Sequence, residues 1–215
     1  MKLKECPDEL DCHHLNNSRS QRILWLLEEL GVEYELRQHQ RDAVTNLAPP
    51  ALLAVHPLGK SPLLEDNGRV IQESAAICEY LCERHGGGHL VPARGTDAHV
   101  RYLEWMHFAE GTAMTPILLN LYASGLGEAG APLQPRIQQQ CGAQNAYMES
   151  ELSEAGFFVG DSFTAADIMM SFPAEVAVMQ GAAADKPKLA AFVAWVHARP
   201  AWQRAREKGG TYFVF

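Results

Sequence analysis

The sequence predicts an α/β unit followed by an all-helical unit, and three observations carry that prediction. The first 85 residues read in the order strand, helix, strand, helix, hairpin, helix. Gly86-Gly87-Gly88 and Pro92-Ala93-Arg94-Gly95 then form the clearest breaker cluster of the chain. Beyond it, apolar residues recur only at helical spacing. The expected organisation is therefore a first domain over 1–85, a linker over 86–95 and a helical domain over 96–215.

In the first domain, Leu10 to Leu15 reads as a strand. A break at Asn16-Asn17-Ser18 precedes a helix with Ile23, Leu24, Leu27 and Leu30 on its apolar face, and Gly31 is a suitable stop. Val32 to His39 alternates, with Tyr34 and Leu36 against Glu35 and Arg37, as a half-buried strand does. Pro49-Pro50 opens a short irregular helix. Leu63 and Leu64, Asp66-Asn67-Gly68, then Val70 and Ile71 read as two short strands around a turn. Ser74 reads as the N-cap of a helix carrying Ala75, Ile77, Cys78, Leu81 and Cys82.

In the second domain, Leu103, Met106, Glu110, Met114, Ile117, Leu118 and Leu121 follow one long helix from Thr96. Residues 137–152, 168–179 and 189–196 supply three more, with a kink expected at Pro173 and an exposed loop over 125–132. Thr164 and Asp167 have the spacing of a capping box, with Phe163 and Ile168 placed as its hydrophobic staple. That motif stabilises a helix start and does no chemistry.

Composition narrows the function. A net charge of −8 with scattered Lys and Arg gives no electrostatic footprint for nucleic acid and repels anionic membranes. Hydrophobic residues make up 47% of the chain, yet no window approaches the ~18 uninterrupted apolar residues of a membrane span. A soluble protein is expected. Cys6, Cys12, Cys78, Cys82 and Cys141 are odd in number, lack CxxC or metal-ligand spacing, and read as reduced thiols. Cys78 and Cys82 share a helical face as small apolar fillers. The charged start MKLKECPDELD has no apolar signal region, so a cytoplasmic address is expected.

The most informative stretch is 56–77, HPLGKSPLLEDNGRVIQESAAI. Pro62 restricts Ser61 to an extended backbone, so a strand edge stands beside a helix start. Two readings of Glu73 and Ser74 follow from those residues alone. One is helix capping, the commoner use of such residues. The other is recognition of a zwitterionic end group, with Ser74 and the helix N-terminus taking a carboxylate and Glu73 an ammonium.

Gly59-Lys60-Ser61-Pro62 with Gln72-Glu73-Ser74-Ala75-Ala76-Ile77 resembles the glutathione-binding half of cytosolic glutathione transferases. His14 to Gly31 is similar to the first helix of bacterial and fungal members, and Phe163-Thr164-Ala165-Ala166-Asp167-Ile168 to the family's C-terminal capping box. Three motifs in the family's order make a strong signal where each alone is weak. The resemblance implies a thioredoxin-like first domain, an all-α helical bundle and a glutathione transferase fold. It also implies a homodimer, a detoxifying role and glutathione as co-substrate with a small electrophile.

The same resemblance distributes the site residues. The sulfur's partner lies at the first helix start, where no tyrosine is present; Ser18 is preferred, then Asn17, then Ser20. Capping of the helix by Ser18, with the sulfur held by Asn17 or backbone N–H groups, is the alternative. Ser61, before a Pro62 expected to be cis, pairs through backbone with the cysteinyl unit. Lys60 is a candidate for the glycyl carboxylate, and Glu73 with Ser74 holds the remaining end group. His107, Phe108, Gly111, Met114 and Thr115 are candidates for the second-substrate pocket, the alternative being that Phe108 and Met114 are plain core.

A transferase must hold glutathione as thiolate, and lowering a thiol pKa of ~8.5 by ~2 units needs ~2.7 kcal/mol. One charge-assisted hydrogen bond gives ~1.5–3 kcal/mol, so a single donor is enough and no metal is needed. Conjugation leads. Glutathione-dependent peroxide or disulfide reduction is an alternative, and a non-catalytic ligand- or partner-binding protein on the same fold is another.

Overall fold

The computed structural model describes residues 10–212; Cys6 and the charged N-terminal segment lie outside them. The chain divides into two compact units. One runs to Leu90 and takes in the stretch from Ala198 onward; the other spans Val91–His197.

The first unit holds β1 (Leu10–Leu15), α1 (Gln21–Leu30), β2 (Glu35–His39), α2 (Ala51–Val55), β3 (Leu63–Asp66), β4 (Arg69–Gln72) and α3 (Ser74–Arg84). Its sheet has the order β2-β1-β3-β4, with β1 parallel to β2 and antiparallel to β3. Asn67 and Gly68 both have positive φ, 48° and 79°, and join Asp66 to Arg69 in the tight hairpin the sequence predicts. Cys12 and Leu64 pair across β1 and β3 and are wholly buried. Ile23, Leu24, Trp25, Leu26 and Leu27 are also wholly buried, which makes α1 the central helix of this unit. Cys78 and Cys82 fill the inner face of α3, as expected of small apolar residues.

Three boundaries differ from the sequence expectations. The second strand starts at Glu35, not Val32, because the N–H groups of Gly31 and Val32 both return to the carbonyl of Leu27 and finish α1. Ser74 is the first residue of α3 and not its N-cap; that place belongs to Glu73. The stretch from Ala198 groups with the first unit, where a single helical domain over 96–215 was expected. The reason is α9 (Pro200–Gly209), whose Ala201, Trp202 and Ala205 are buried and which packs on α1. A Cβ on Gly209 would stand 2.7 Å from Gln21 Oε1 and 3.0 Å from Leu24 Cδ1, so a larger residue there makes these side chains shift.

The second unit contains α4 (Asp97–His107), α5 (Met114–Gly125), α6 (Gln134–Glu151), α7 (Ala165–Met179) and α8 (Pro187–Ala198), the last closing at the unit's edge. Thr96 caps α4 by accepting the His99 N–H at 3.2 Å. The expected single long helix is divided by a π-helical turn at Phe108–Ala113, and the expected loop near Pro132 is a 3₁₀ segment, Gly127–Leu133. Trp105, Phe158 and Phe192 pack in sequence, the first pair tilted and the second edge-on, with ring centroids 4.7 and 5.2 Å apart. Among the described residues, no helix is long and apolar enough to cross a membrane.

Candidate functional site

Three segments of the first unit converge at the carboxyl end of β1. The turn Asn16-Asn17-Ser18 leads from β1 into α1. Asn17 adopts φ 53° and donates its N–H to the Thr211 carbonyl at 3.1 Å. The Ser61–Pro62 bond is cis, and the Ser61 hydroxyl donates to the His13 carbonyl at 3.0 Å, tying the loop before β3 to β1. The guanidinium of Arg22, buried on α1, donates to Ser74 Oγ at 3.2 Å and ties the start of α3 to α1.

The hydroxyls at the start of α1 form a directed network. His14 Nε2 lies 3.0 Å from the Gly209 carbonyl, which only accepts, so the imidazole proton is on Nε2. Its Nδ1 is then an acceptor and takes the Ser20 hydroxyl proton at 2.8 Å. Ser20 Oγ is left as an acceptor. The Ser18 hydroxyl donates either to it or to the Leu15 carbonyl, each at 2.8 Å, while Ser18 Oγ accepts the Ser20 N–H at 3.2 Å. Burial lowers the His14 pKa to about 4, which keeps the ring neutral and this directionality fixed.

Positive charge stands beside the turn. Arg41 donates to the carbonyls of Asn16, Asn17 and Asn46, and its own N–H meets Asn16 Oδ1 at 2.7 Å. Burial and the nearby charge of Arg19 lower its pKa, so two guanidinium groups face the same small region. An anion there relieves their repulsion. Glu73 is exposed and holds φ 71°, a conformation unfavourable for a non-glycine residue and costing ~1–3 kcal/mol, as residues at ligand sites often do. Lys60 is exposed and Pro62 is buried.

In the second unit, His107 ends α4, Phe108 and Gly111 lie in the π-helical turn, and Met114 and Thr115 begin α5. Phe108 packs edge-on against Trp105 at 5.0 Å, and Met114 is buried at 3% exposure, so these two have a packing role. His107, Gly111 and Thr115 are exposed. The Thr115 hydroxyl donates to the Gly111 carbonyl at 2.9 Å within the turn. Short π-helical insertions recur at functional sites because they re-aim side chains without ending a helix.

Two residues escaped the sequence reading. His14 lies within a buried strand, where its polar side chain was the available signal, and Arg41 follows β2 with no motif around it. A thioredoxin-like sheet whose cis-proline loop and two helix starts meet at one end, carried by a chain with a second, all-helical unit, defines the class of glutathione-dependent transferases. Models of the glutathione S-transferase N-terminal and C-terminal domains match residues 18–84 and 101–200. Glutathione S-transferase 3 of Schizosaccharomyces pombe is 34% identical over 91% of this chain and 86% of its own length. Glutathione S-transferase 1 of Saccharomyces cerevisiae is 29% identical over 91% and 93%. The crystal structure of a glutathione S-transferase from Actinobacillus pleuropneumoniae is 33% identical and superposes with a TM-score of 0.86, covering 95% of both chains. The chain belongs to the glutathione S-transferase family, and it is a glutathione-binding transferase.

Proposed function

We propose that this transferase conjugates the thiolate of reduced glutathione to small apolar electrophiles, with the sulfur held at the start of α1. The observation that carries the proposal is the hydroxyl network there. At rest Ser18 gives its proton to Leu15 or Ser20 in a neutral hydrogen bond, worth ~0.5–1.5 kcal/mol net. A thiolate offers a charge-assisted bond of ~1.5–3 kcal/mol, so the proton turns outward when glutathione binds. Ser18 Oγ still accepts the Ser20 N–H, which holds the hydroxyl in place as its proton turns. Asn17 assists, and the Arg19 and Arg41 charges favour the anion.

Glutathione then lies with its cysteinyl backbone against Ser61 and Pro62, its γ-glutamyl end at Glu73 and Ser74, and its glycyl carboxylate near Lys60. Of the five candidates, the exposed His107, Gly111 and Thr115 are assigned to the electrophile, while Phe108 and Met114 are taken up by packing. The working form is assigned as a cytoplasmic homodimer, and the conjugation itself uses thiolate stabilisation and proximity, with no metal step. Reduction through a protein thiol is disfavoured, because Cys12 is wholly buried and burial pushes its pKa up to about 12.

Titrating bound glutathione by ultraviolet thiolate absorbance tests the assignment. Ser18→Ala is expected to raise the thiolate pKa by about one unit and Asn17→Ala by less, one unit being ~1.4 kcal/mol. An unchanged pKa in a Ser18→Ala protein that melts normally removes Ser18 from the role. Failure to be retained on glutathione-agarose sinks the conjugation reading itself.

A further inference from the structure

One face of the sheet carries a polar cluster that glutathione chemistry does not use. Side chains two apart on a strand share a face, and directly paired residues stand side by side. Asp11 and His13 of β1 therefore face the same way as Glu65 of β3, which pairs with Asp11, and Arg37 of β2, which pairs with His13. His14 and Cys12 face the opposite way, so this cluster is separate from the hydroxyl network at α1.

One ligand-type atom from each of Asp11, His13 and Glu65 lies within 4.8 Å of the other two, and His13 Nε2 is 3.7 Å from Glu65 Oε2. Asp11 Oδ2 accepts from Arg37 Nε at 2.8 Å. Asp11 Oδ1 and His13 Nε2 have no hydrogen-bond partner, although their residues are only 9% and 7% exposed. Buried polar atoms are nearly always satisfied, so two orphaned atoms in one cluster point to a ligand that satisfies both. His13 Nδ1 lies 3.1 Å from His39 Nε2. With the proton on Nδ1 and donated to His39, the Nε2 of His13 presents a lone pair, the arrangement that orients a metal-binding histidine.

We propose that Asp11, His13 and Glu65 bind one divalent transition-metal ion of the zinc class, with His39 as a positioning residue for His13. One imidazole and two carboxylates suit Zn²⁺ or Co²⁺, whereas Mg²⁺ and Ca²⁺ prefer an all-oxygen set. Bonds of about 2.0–2.2 Å place tetrahedral ligand atoms roughly 3.3–3.6 Å apart. The pair at 3.7 Å needs little movement, and the Glu65 side chain, 37% exposed, has room to swing inward. Water completes the coordination. The ion clips β1 to β3 directly and β2 through His39, and it takes no part in conjugation. The Arg37 charge beside Asp11 weakens the site, so micromolar affinity is expected and nanomolar is not.

Chelator-stripped full-length protein, titrated calorimetrically with Zn²⁺ and Co²⁺ in the absence of glutathione, tests the site. One saturable site per chain is expected, with a visible Co²⁺ absorption band and a melting temperature raised by Zn²⁺. His13→Gln and Glu65→Gln each lower Zn²⁺ affinity at least tenfold, and His39→Leu lowers it about 10- to 100-fold without removing a ligand. His89→Gln, at an exposed histidine, leaves affinity unchanged. Glu65 is half-exposed, so its variant folds and keeps the test alive if His13→Gln does not. Binding that survives Glu65→Gln, or is lost in His89→Gln, marks an adventitious ion only and overturns the proposal, as does the lack of any saturable site.

Discussion

A single neutral imidazole directs the hydroxyl protons at the start of α1, because the Gly209 carbonyl fixes the proton of His14 on Nε2. The same burial has a consequence for acid stability. The His14 pKa falls from 6.5 to about 4 on folding, so the unfolded chain binds a proton that the folded chain refuses between those values. Stability from this residue is full above pH 6.5 and is lost as the pH falls toward 4. His14→Gln is expected to flatten the decline of melting temperature from pH 6.5 to 4; parallel declines in variant and wild type would remove His14 as its source. The sequence brought Asn17, Ser18 and Ser20 forward because a polar run before an amphipathic helix is a local pattern. It left His14 unmarked, since a histidine in a strand reads alike whichever face it occupies and its partner is 195 residues away.

Elements that begin or end on local chemistry were the legible ones. Thr164 and Asp167 form the expected capping box at α7, where Asp167 accepts the Thr164 N–H at 2.8 Å and also the Phe158 N–H at 2.9 Å. The π-helical turn at Phe108–Ala113 was not legible, because an inserted residue leaves the apolar pattern on both sides intact. Asp167→Ala removes a cap, worth ~0.5–2 kcal/mol, and orphans the buried Phe158 N–H, worth ~1–3 kcal/mol more. At ~2–4 °C per kcal/mol for a chain of this size, a melting loss of roughly 3–20 °C is expected, with the glutathione affinity of the folded variant unchanged. A large affinity loss in folded protein would refute the purely structural role. Burial pushes the Asp167 carboxyl up to about 6 despite these bonds, above its ordinary 3.8. The folded chain therefore holds an extra proton between about pH 4 and 6, and the residue's contribution falls as the pH rises through that window. Asp167→Asn should remove that slope from the melting profile.

Across the first unit, the return of the chain as α9 is what local patterns could not announce, since its contacts join residues some 170–195 positions apart. Glu28 on α1 receives Arg204 and Lys208 of α9 together with Tyr34, and Glu29 receives Arg199. Burial raises the Glu28 pKa, but the bonds from Lys208, Arg204 and Tyr34 outweigh it and hold the carboxylate ionised. At the far end of the helix, Gly209 gives its carbonyl to His14, so α9 reaches the hydroxyl network through a single backbone atom. Gly209→Ala separates packing from that link. Alanine is the better helix former by ~1 kcal/mol, yet its Cβ would meet Gln21 Oε1 at 2.7 Å, Leu24 Cδ1 at 3.0 Å and His14 Nε2 at 3.1 Å. Overpacking of this kind costs ~1–3 kcal/mol, which matches or exceeds that gain, and either these side chains or the helix end must shift to relieve it. The expected result is a lower melting temperature and, with His14 released and Ser20 free to turn, an altered pKa of bound glutathione. A variant that shifts the melting temperature alone would make α9 a packing element and detach it from the chemistry at Ser18.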